Sequence, residues 1–230
     1  MTDTVSSTPA ERRREKIRAS ILKAAEQVFA KEGEDGLSIR RLANEIDYSP
    51  AAIYKYFGSK DELIDELKEA FFEQIIEAAD ALEDYPGGFS ECARHCLGVY
   101  IRTAIEKPHH YAAAFSGISD AQPRDLETFV RSNKGRAFMI LSDMVAEGQK
   151  QGVLRTDIHE VTAAKSLWAS CHGLASLMVH LPHFPMTHPG APDLPRDEFI
   201  SFHADQMMRG LELSSAHTKT KSISSRKRTK

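Results

Sequence analysis

The chain has 230 residues, of which 41% are hydrophobic and 27% are charged. These proportions are typical of a folded protein in water, and they exclude a largely disordered chain. No apolar run reaches the roughly 18 residues of a membrane-spanning helix, and the first residues lack the apolar core of a signal peptide. We therefore predict a cytoplasmic protein without contact to a membrane.

The net charge of −3 is distributed unevenly along the chain. Residues 1–60 carry a net charge of +2, residues 61–215 carry −11, and residues 216–230 carry +6. A strongly acidic central part repels polyanions, whereas both ends of the chain can bind one.

The first helix is predicted from apolar residues at helical spacing between Ile17 and Phe29, and Gly33 and Gly36 are expected to end it. Ser38 is a good N-cap for a second helix of about eight residues. The first helix begins with a cluster of basic residues at positions 12–18, which can bind a polyanion or simply be solvated.

Asp47 and Tyr48 form a very short connection to a third predicted helix, residues 50–57, which Ser49 caps. Ser59 and Glu62 have the spacing of a capping box at the start of a fourth helix. Two short helices joined by a tight turn, packed between longer ones, form the helix-turn-helix pattern.

Ile53 and Phe57 are four residues apart, so both are predicted to face the core of this unit. Tyr54, Lys55 and Tyr56 are then left toward solvent. Tyrosine hydroxyls and a lysine ammonium suit phosphate oxygens and base edges. The spacing therefore predicts a DNA-binding surface on the third helix.

The rest of the chain also shows helical periodicity, over residues 89–106, 126–152, 159–180 and 196–213, and the short segment HHYAAAFSGI after Pro108 is also predicted to be helical. The helix at 159–180 is predicted to be buried on most sides. The predicted fold is all-α: a three-helix N-terminal helix-turn-helix domain continuous with a larger C-terminal helical bundle, about nine helices in total. We expect a flexible basic arm at 1–14, the DNA-binding domain at 15–75, a larger helical domain at 76–214, and a disordered basic tail at 215–230.

The segments ILKAAEQVFAKEG and GLSIRRLANEIDYSPAAIYKYFGSKDEL resemble the DNA-binding domain of the TetR family of bacterial transcription regulators. The family pattern of Tyr-x-aromatic-Phe, a two-residue spacer and Lys is met by Tyr54, Tyr56, Phe57 and Lys60. The resemblance implies a regulator, most often a repressor, that binds a palindromic operator as a homodimer, with residues 76–214 as its effector-binding and dimerisation domain. We expect no enzymatic activity and no cofactor. The resemblance also implies phosphate contacts from Ser38, Ser49, Tyr54, Tyr56 and Lys60, base-edge contacts from Ala51, Ala52 and Lys55, and flanking positions for Arg40 and Arg41.

The segment AKSLWASCHGLASLMVH resembles the C-terminal domain of a TetR subgroup in which Trp is followed after three residues by His-Gly, here Trp168, His172 and Gly173. Two interpretations stay open for Trp168 and His172: they either fill the core or line a pocket for a small hydrophobic effector. The predicted pocket residues are Phe115, Phe129, Phe138, Trp168, His172 and Met178.

Small residues in the helix at 159–180 permit close helix approach. The family resemblance implies that this helix and the last one form the homodimer interface. These small residues are Ala163, Ala164, Ala169, Gly173 and Ala175.

Other functions have less support from the sequence. No nucleophile with an adjacent base suggests an enzyme, and the histidines of the second half lack the spacing of a metal site. Cys92 and Cys96 are interpreted as packing residues. The alternative to a ligand-responsive regulator is a nucleoid-associated architectural DNA-binding protein without an effector.

Overall fold

The computed structural model describes residues 8–82, 85–115, 126–181, 183–185, 190 and 194–213. Within these residues the chain forms ten helices and no strand, which confirms the all-α prediction. The helices are α1 (Pro9–Gly36), α2 (Ile39–Glu45), α3 (Pro50–Ile53), α4 (Lys60–Asp80), α5 (Phe89–Glu106), α6 (Pro108–Phe115), α7 (Leu126–Arg131), α8 (Asn133–Lys150), α9 (Glu160–His180) and α10 (Arg196–Leu211). None of the described helices is long and apolar enough to cross a membrane.

The additional helix arises because the predicted helix at 126–152 is broken at Ser132. The Ser132 hydroxyl donates to the Phe129 carbonyl oxygen (2.7 Å) and accepts from the Gly135 amide (3.0 Å). These bonds end α7 and cap α8, because a serine side chain competes with the backbone for helical hydrogen bonds.

Contacts divide the chain into two compact units, residues 1–72 with 107–124, and residues 73–106 with 125–230. The helix α4 contributes to both units. The first unit contains α1, α2, α3 and also α6, which lies well beyond the predicted domain end at residue 75. The linear domain boundaries remain a prediction.

Helix α1 begins at Pro9. Residues 9–14 are therefore helical, whereas a flexible arm was predicted there. Its start is a complete capping box: the Thr8 hydroxyl oxygen accepts from the Glu11 amide (3.3 Å), and Glu11 Oε2 accepts from the Thr8 amide (2.6 Å). The sequence Thr-Pro-Ala-Glu carries this signal, since proline favours the first helical position. Residues 1–7 and 214–230, which include the first half of the predicted arm and the predicted tail, lie outside the described residues.

The core of the first unit is formed by apolar residues of α1 to α4 with a contribution from α6. Ile53 and Phe57 have no exposed surface, which agrees with their predicted inward orientation. The fully buried large side chains of this core are Ile21, Phe29, Leu37, Leu42, Ile53, Phe57, Leu63 and Leu67. Short helices such as α2 and α3 depend on this packing, because they are too short to be stable alone.

Gly33 interrupts α1 with φ of 65° and ψ of −158°, close to backbone space that is essentially restricted to glycine. A Cβ atom on this buried residue would lie 2.9 Å from His109 Nδ1 of α6. Glycine therefore permits both the bend near the end of α1 and the close approach of α6.

We expect Gly33→Ala to lower the free energy of unfolding by about 1–3 kcal/mol, because it forces an alanine into this backbone region. Chemical denaturation measures the loss. Gly210→Ala is the control, since a Cβ there meets nothing within 4 Å, and alanine is favoured over glycine inside a helix. Equal stability of the Gly33 variant and the wild type would contradict the role assigned to the bend.

Helix α6 is fastened to α1 by a half-buried polar cluster within the first unit. His110, only 1% exposed, places Nε2 2.7 Å from Glu26 Oε2, and Lys107 Nζ donates to Glu26 Oε1 over 3.2 Å. The hydrogen bond with His110, more than any other contact, lowers the pKa of Glu26. His110 also packs edge-on against Phe29, with ring centroids 5.0 Å apart.

The second unit is a bundle in which α5, α8, α9 and α10 pack together. Arg94 of α5 donates to Asp205 of α10 and to Glu212 just after it, each over 2.9 Å. The backbone beyond α10 also pairs with residues 153–155 in an isolated antiparallel bridge. The end of α10 is therefore held at two points.

Helix α9 has one buried side rather than the nearly complete burial that was predicted. Ala163, Ala164 and Ala175 are buried within the unit, so these three small residues pack inside the protomer. By contrast, Ala169 and Gly173 lie on the exposed side. The apolar sequence of α9 thus includes an uncovered stripe.

Candidate nucleic-acid interface

The turn between α2 and α3 has the local geometry of a helix-turn-helix. The Ser38 hydroxyl oxygen accepts from the Arg41 amide and caps α2, and the Ser49 hydroxyl oxygen accepts from the Ala52 amide and caps α3, each over 3.2 Å. Asp47 lies between them at a φ of 55°, a conformation that aspartate tolerates better than most residues. Both predicted N-caps are therefore confirmed, and each hydroxyl still has its own O–H to donate.

Helix α3 is shorter than predicted, because its regular part ends at Ile53 instead of residue 57. The backbone continues as a hydrogen-bonded turn, with the Tyr56 and Phe57 amides donating to the Ile53 carbonyl oxygen over 2.8 and 3.1 Å. Tyr54, Lys55 and Tyr56 are therefore presented by a turn rather than by a helix. This turn places Ile53 and Phe57 inward and turns Tyr54 and Lys55 outward.

The predicted DNA-binding residues differ in exposure. Tyr54 is 51% exposed, and the other exposed members are Ser38, Arg40, Ser49, Ala51 and Lys55. Arg41, Ala52, Tyr56 and Lys60 are half-buried. The exposed set lies on α2 and α3, at their N-caps and on the turn after α3. This part of the first unit therefore presents hydroxyls and cations to solvent.

The basic start of α1 lies next to this surface. The Arg14 guanidinium lies 6.0 Å from the centroid of the Tyr56 ring, and that of Arg18 lies 4.8 Å from the Phe57 centroid while it pairs with Glu66. Arg14 is therefore an additional candidate for DNA contact. Tyr48, which is exposed and directly precedes Ser49, is another. The basic cluster was evident from the sequence, but its proximity to Tyr56 was not.

Two predicted DNA contacts are engaged within the protein at the carboxyl end of α1. Lys60 Nζ donates to the Glu34 carbonyl oxygen over 3.1 Å, and Arg41 pairs with Glu32. A lysine ammonium has three donors, so the bond to Glu34 uses only part of its capacity. The predicted capping box before α4 is only half formed: the Ser59 hydroxyl oxygen accepts from the Glu62 amide, but Glu62 Oε2 accepts from Gly58 rather than from Ser59.

The predicted effector residues fall into both units. Phe115 belongs to the first, where its ring packs against Phe71, Phe72 and Tyr111. The other five belong to the second unit, and Met178 is 2% exposed whereas Phe129 and Phe138 are half-buried. Phe115 therefore has a packing role in the first unit that the sequence pattern did not indicate.

Trp168 and His172 lie together on α9, with ring centroids 5.7 Å apart. The Tyr100 hydroxyl oxygen of α5 lies 2.9 Å from His172 Nδ1. Burial, and to a smaller degree the positive charge of Lys134, lowers the pKa of His172. A neutral imidazole beside an indole and a phenol is a mainly apolar environment with polar atoms for orientation.

No group of three or more potential metal ligands occurs in the part of the chain that the structure describes. Cys96 and Cys171 are protonated at neutral pH, because burial raises their thiol pKa values to about 11 and about 12. Both cysteines therefore have packing roles.

Comparison with known proteins identifies the family of the chain. Residues 21–67 match the family of bacterial regulatory proteins of the tetR type, and residues 93–201 match the tetracyclin repressor-like C-terminal domain. The chain belongs to the TetR family of transcription regulators. It is thus a regulator rather than an enzyme.

Named relatives are similar over most of their lengths. The transcriptional repressor NicS of Pseudomonas putida is 26% identical over 208 residues, covering 86% of this chain and 93% of that protein. The transcriptional repressor KstR2 of Mycobacterium tuberculosis is 23% identical over 146 residues, covering 61% of this chain and 70% of that protein.

Solved structures share the fold. A protein of unknown function from Rhodococcus sp. RHA1 superposes with a TM-score of 0.71 at 24% identity, over 93% of this chain and 100% of that one. The TetR family regulator PfmR of Thermus thermophilus superposes with a TM-score of 0.58 at 23% identity, over 84% of this chain and 99% of that one.

Proposed function

We propose that the protein is a repressor that binds a palindromic operator as a homodimer and is released by a small hydrophobic effector. The observation that carries the proposal is the surface of Ser49, Tyr54 and Lys55, held outward by the buried Ile53 and Phe57. A rigid turn on a packed core can present the same few side chains to a major groove each time it binds.

Within this surface, each residue type has a distinct role. The hydroxyls of Ser38, Ser49, Tyr54 and Tyr56 and the ammonium of Lys60 would bind phosphate oxygens, which fixes the register on the duplex. Lys55 would contact a guanine, and Ala51 and Ala52 would permit close approach to the bases. Arg14 and Arg40 would add phosphate contacts at the edges.

Two copies are expected to associate through α9 and α10. Leu177 on α9, Leu181 directly after it and Phe202 on α10 are 44%, 49% and 53% exposed, although all three are large and apolar. Ala169 and Gly173 continue the α9 stripe at helical spacing, so a second copy can approach closely. Such a contact is two-fold symmetric and suits a palindromic operator.

The effector would bind in the second unit near Trp168 and His172. It would act by population shift, favouring a spacing of the two DNA-binding surfaces that does not fit successive major grooves. The helix α4 is the proposed connection, because its residues belong to both units.

The test is selection of genomic DNA fragments by the purified protein at about 150 mM salt, with and without a pool of hydrophobic metabolites. We expect one palindromic sequence to be enriched by the protein alone and lost with the pool. Enrichment without sequence preference would contradict the operator and favour an architectural role. A palindrome that is still enriched in the presence of the pool would support the operator and contradict the effector.

A further inference from the structure

The guanidinium of Arg41 has four hydrogen bonds inside the first unit. Its two terminal nitrogens donate to the two carboxylate oxygens of Glu32 over 2.6 and 2.7 Å. Its Nε donates to Glu45 Oε1 over 3.3 Å, and one terminal nitrogen also reaches the Gly36 carbonyl oxygen at 3.3 Å. This is a bidentate ion pair with two further hydrogen bonds, a geometry that only arginine can provide.

These bonds join two elements that matter for the DNA-binding surface. Arg41 lies on α2, whereas Glu32 lies on α1, directly before the bend at Gly33. The Gly36 carbonyl belongs to the last turn of α1, where a cation is favoured by the helix dipole. The contact therefore fixes α2 relative to the end of α1.

The cluster places one guanidinium between two carboxylates. The hydrogen bond with Arg41 is the largest cause of the lowered pKa of Glu32, and the hydrogen bond with Glu32 raises the pKa of Arg41. To bind a phosphate with two hydrogen bonds, this guanidinium would have to leave Glu32 or Glu45, and that carboxylate would then lie unpaired near the negatively charged duplex.

Resting on the DNA binding proposed above, we infer that Arg41 is a positioning residue that orients α2 through Glu32 and does not contact DNA. This differs from its predicted place among the DNA contacts. It also assigns Glu32, an acidic residue, a favourable role in binding a polyanion.

Two variants separate the two roles, because a positioning residue and a phosphate contact predict different changes in affinity. Arg41→Lys retains the charge but loses the fork, so a positioning role predicts weaker binding, whereas a phosphate contact would largely persist. Glu32→Gln removes a negative charge, which by electrostatics alone should tighten binding, yet a positioning role predicts weaker binding. Arg40→Ala and Glu34→Gln are the matched controls at neighbouring exposed positions.

The probes are the fragment most enriched by the wild-type protein and a duplex of mixed sequence, titrated over a series of salt concentrations. We expect Arg41→Lys and Glu32→Gln each to weaken binding to the enriched fragment about tenfold, within the range of coupled pairs. Binding to the mixed duplex and the salt slope should stay close to wild type. Arg40→Ala should weaken both probes and reduce the salt slope by about 1, as loss of a phosphate contact does. Glu34→Gln should not weaken either.

Thermal unfolding of each variant separates positioning from a loss of folding, and we expect midpoints close to that of the wild type, because an exposed ion pair adds little stability. Tighter or unchanged binding by Glu32→Gln, or wild-type affinity of Arg41→Lys, would overturn the inference. A wild-type protein that does not distinguish the two probes would overturn the proposed operator binding as well, which is a different result from the variants behaving as phosphate contacts.

Discussion

Phe57→Ala should destabilise the first unit by about 3–5 kcal/mol, the loss expected when a fully buried phenylalanine is truncated. Phe57 has no exposed surface and belongs to the apolar cluster that holds α2 and α3 in place. Without this ring, the turn that carries Tyr54 and Lys55 loses its anchor. Chemical denaturation followed by the far-ultraviolet circular dichroism of the helices measures the change.

Tyr54→Ala is the matched control, because it removes an aromatic ring of similar size from the same turn. The ring is 51% exposed, so we expect a loss of stability of at most about 1 kcal/mol, close to the usual range for surface substitutions. Trp168 is the only tryptophan and lies in the second unit, so its fluorescence follows that unit separately. Equal destabilisation by the two substitutions would contradict the assignment of Phe57 to the core and Tyr54 to the surface.

Lys55→Ala and Tyr54→Ala are expected to reduce operator binding strongly while the protein stays folded. Loss of a guanine contact by Lys55 should cost about 1–3 kcal/mol and relax the preference at one position of the half-site. Loss of the Tyr54 hydroxyl and ring should weaken binding to all sequences, since phosphate contacts carry no sequence information directly. Titration of the enriched fragment, and of the same fragment with single base changes, measures both effects.

Lys23→Ala serves as the control for charge, because Lys23 is an exposed lysine of α1 outside the proposed surface. We expect its affinity to remain close to that of the wild type. If Lys55→Ala kept both the affinity and the base preference of the wild type, the recognition role of Lys55 would be wrong. A uniform loss without relaxed preference would instead make Lys55 a phosphate contact.

Local sequence signals were sufficient for two helix caps, for the bounds of α5 and for one pair of inward-facing residues. Ser38 and Ser49 cap α2 and α3 as predicted, because an N-cap hydroxyl only has to reach an amide three residues ahead. Helix α5 begins and ends at the predicted residues, since its apolar residues keep helical spacing up to the proline that follows. The inward orientation of Ile53 and Phe57 follows from the same periodicity.

The same signals misjudged the ends and faces of other elements. The serine at position 132 divides one predicted helix into two, and α3 stops at Ile53 although the following residues keep helical spacing. Periodicity cannot detect such breaks, because it records which side of a segment is apolar and not whether each backbone hydrogen bond forms. Nor could it show that part of the apolar surface of α9 stays exposed.

The sequence by itself determined the all-α class, the helix-turn-helix, the family and the outward orientation of Tyr54 and Lys55. Tyr56, which was also predicted to face solvent, is half-buried against the core. Only the tertiary structure decided which distant groups meet. It pairs His110 with Glu26, 84 residues apart, places Arg14 beside Tyr56, and engages Arg41 with the end of α1. The physical reason is that capping and helical periodicity act within a few residues, whereas an ion pair between helices depends on how their packed cores orient them.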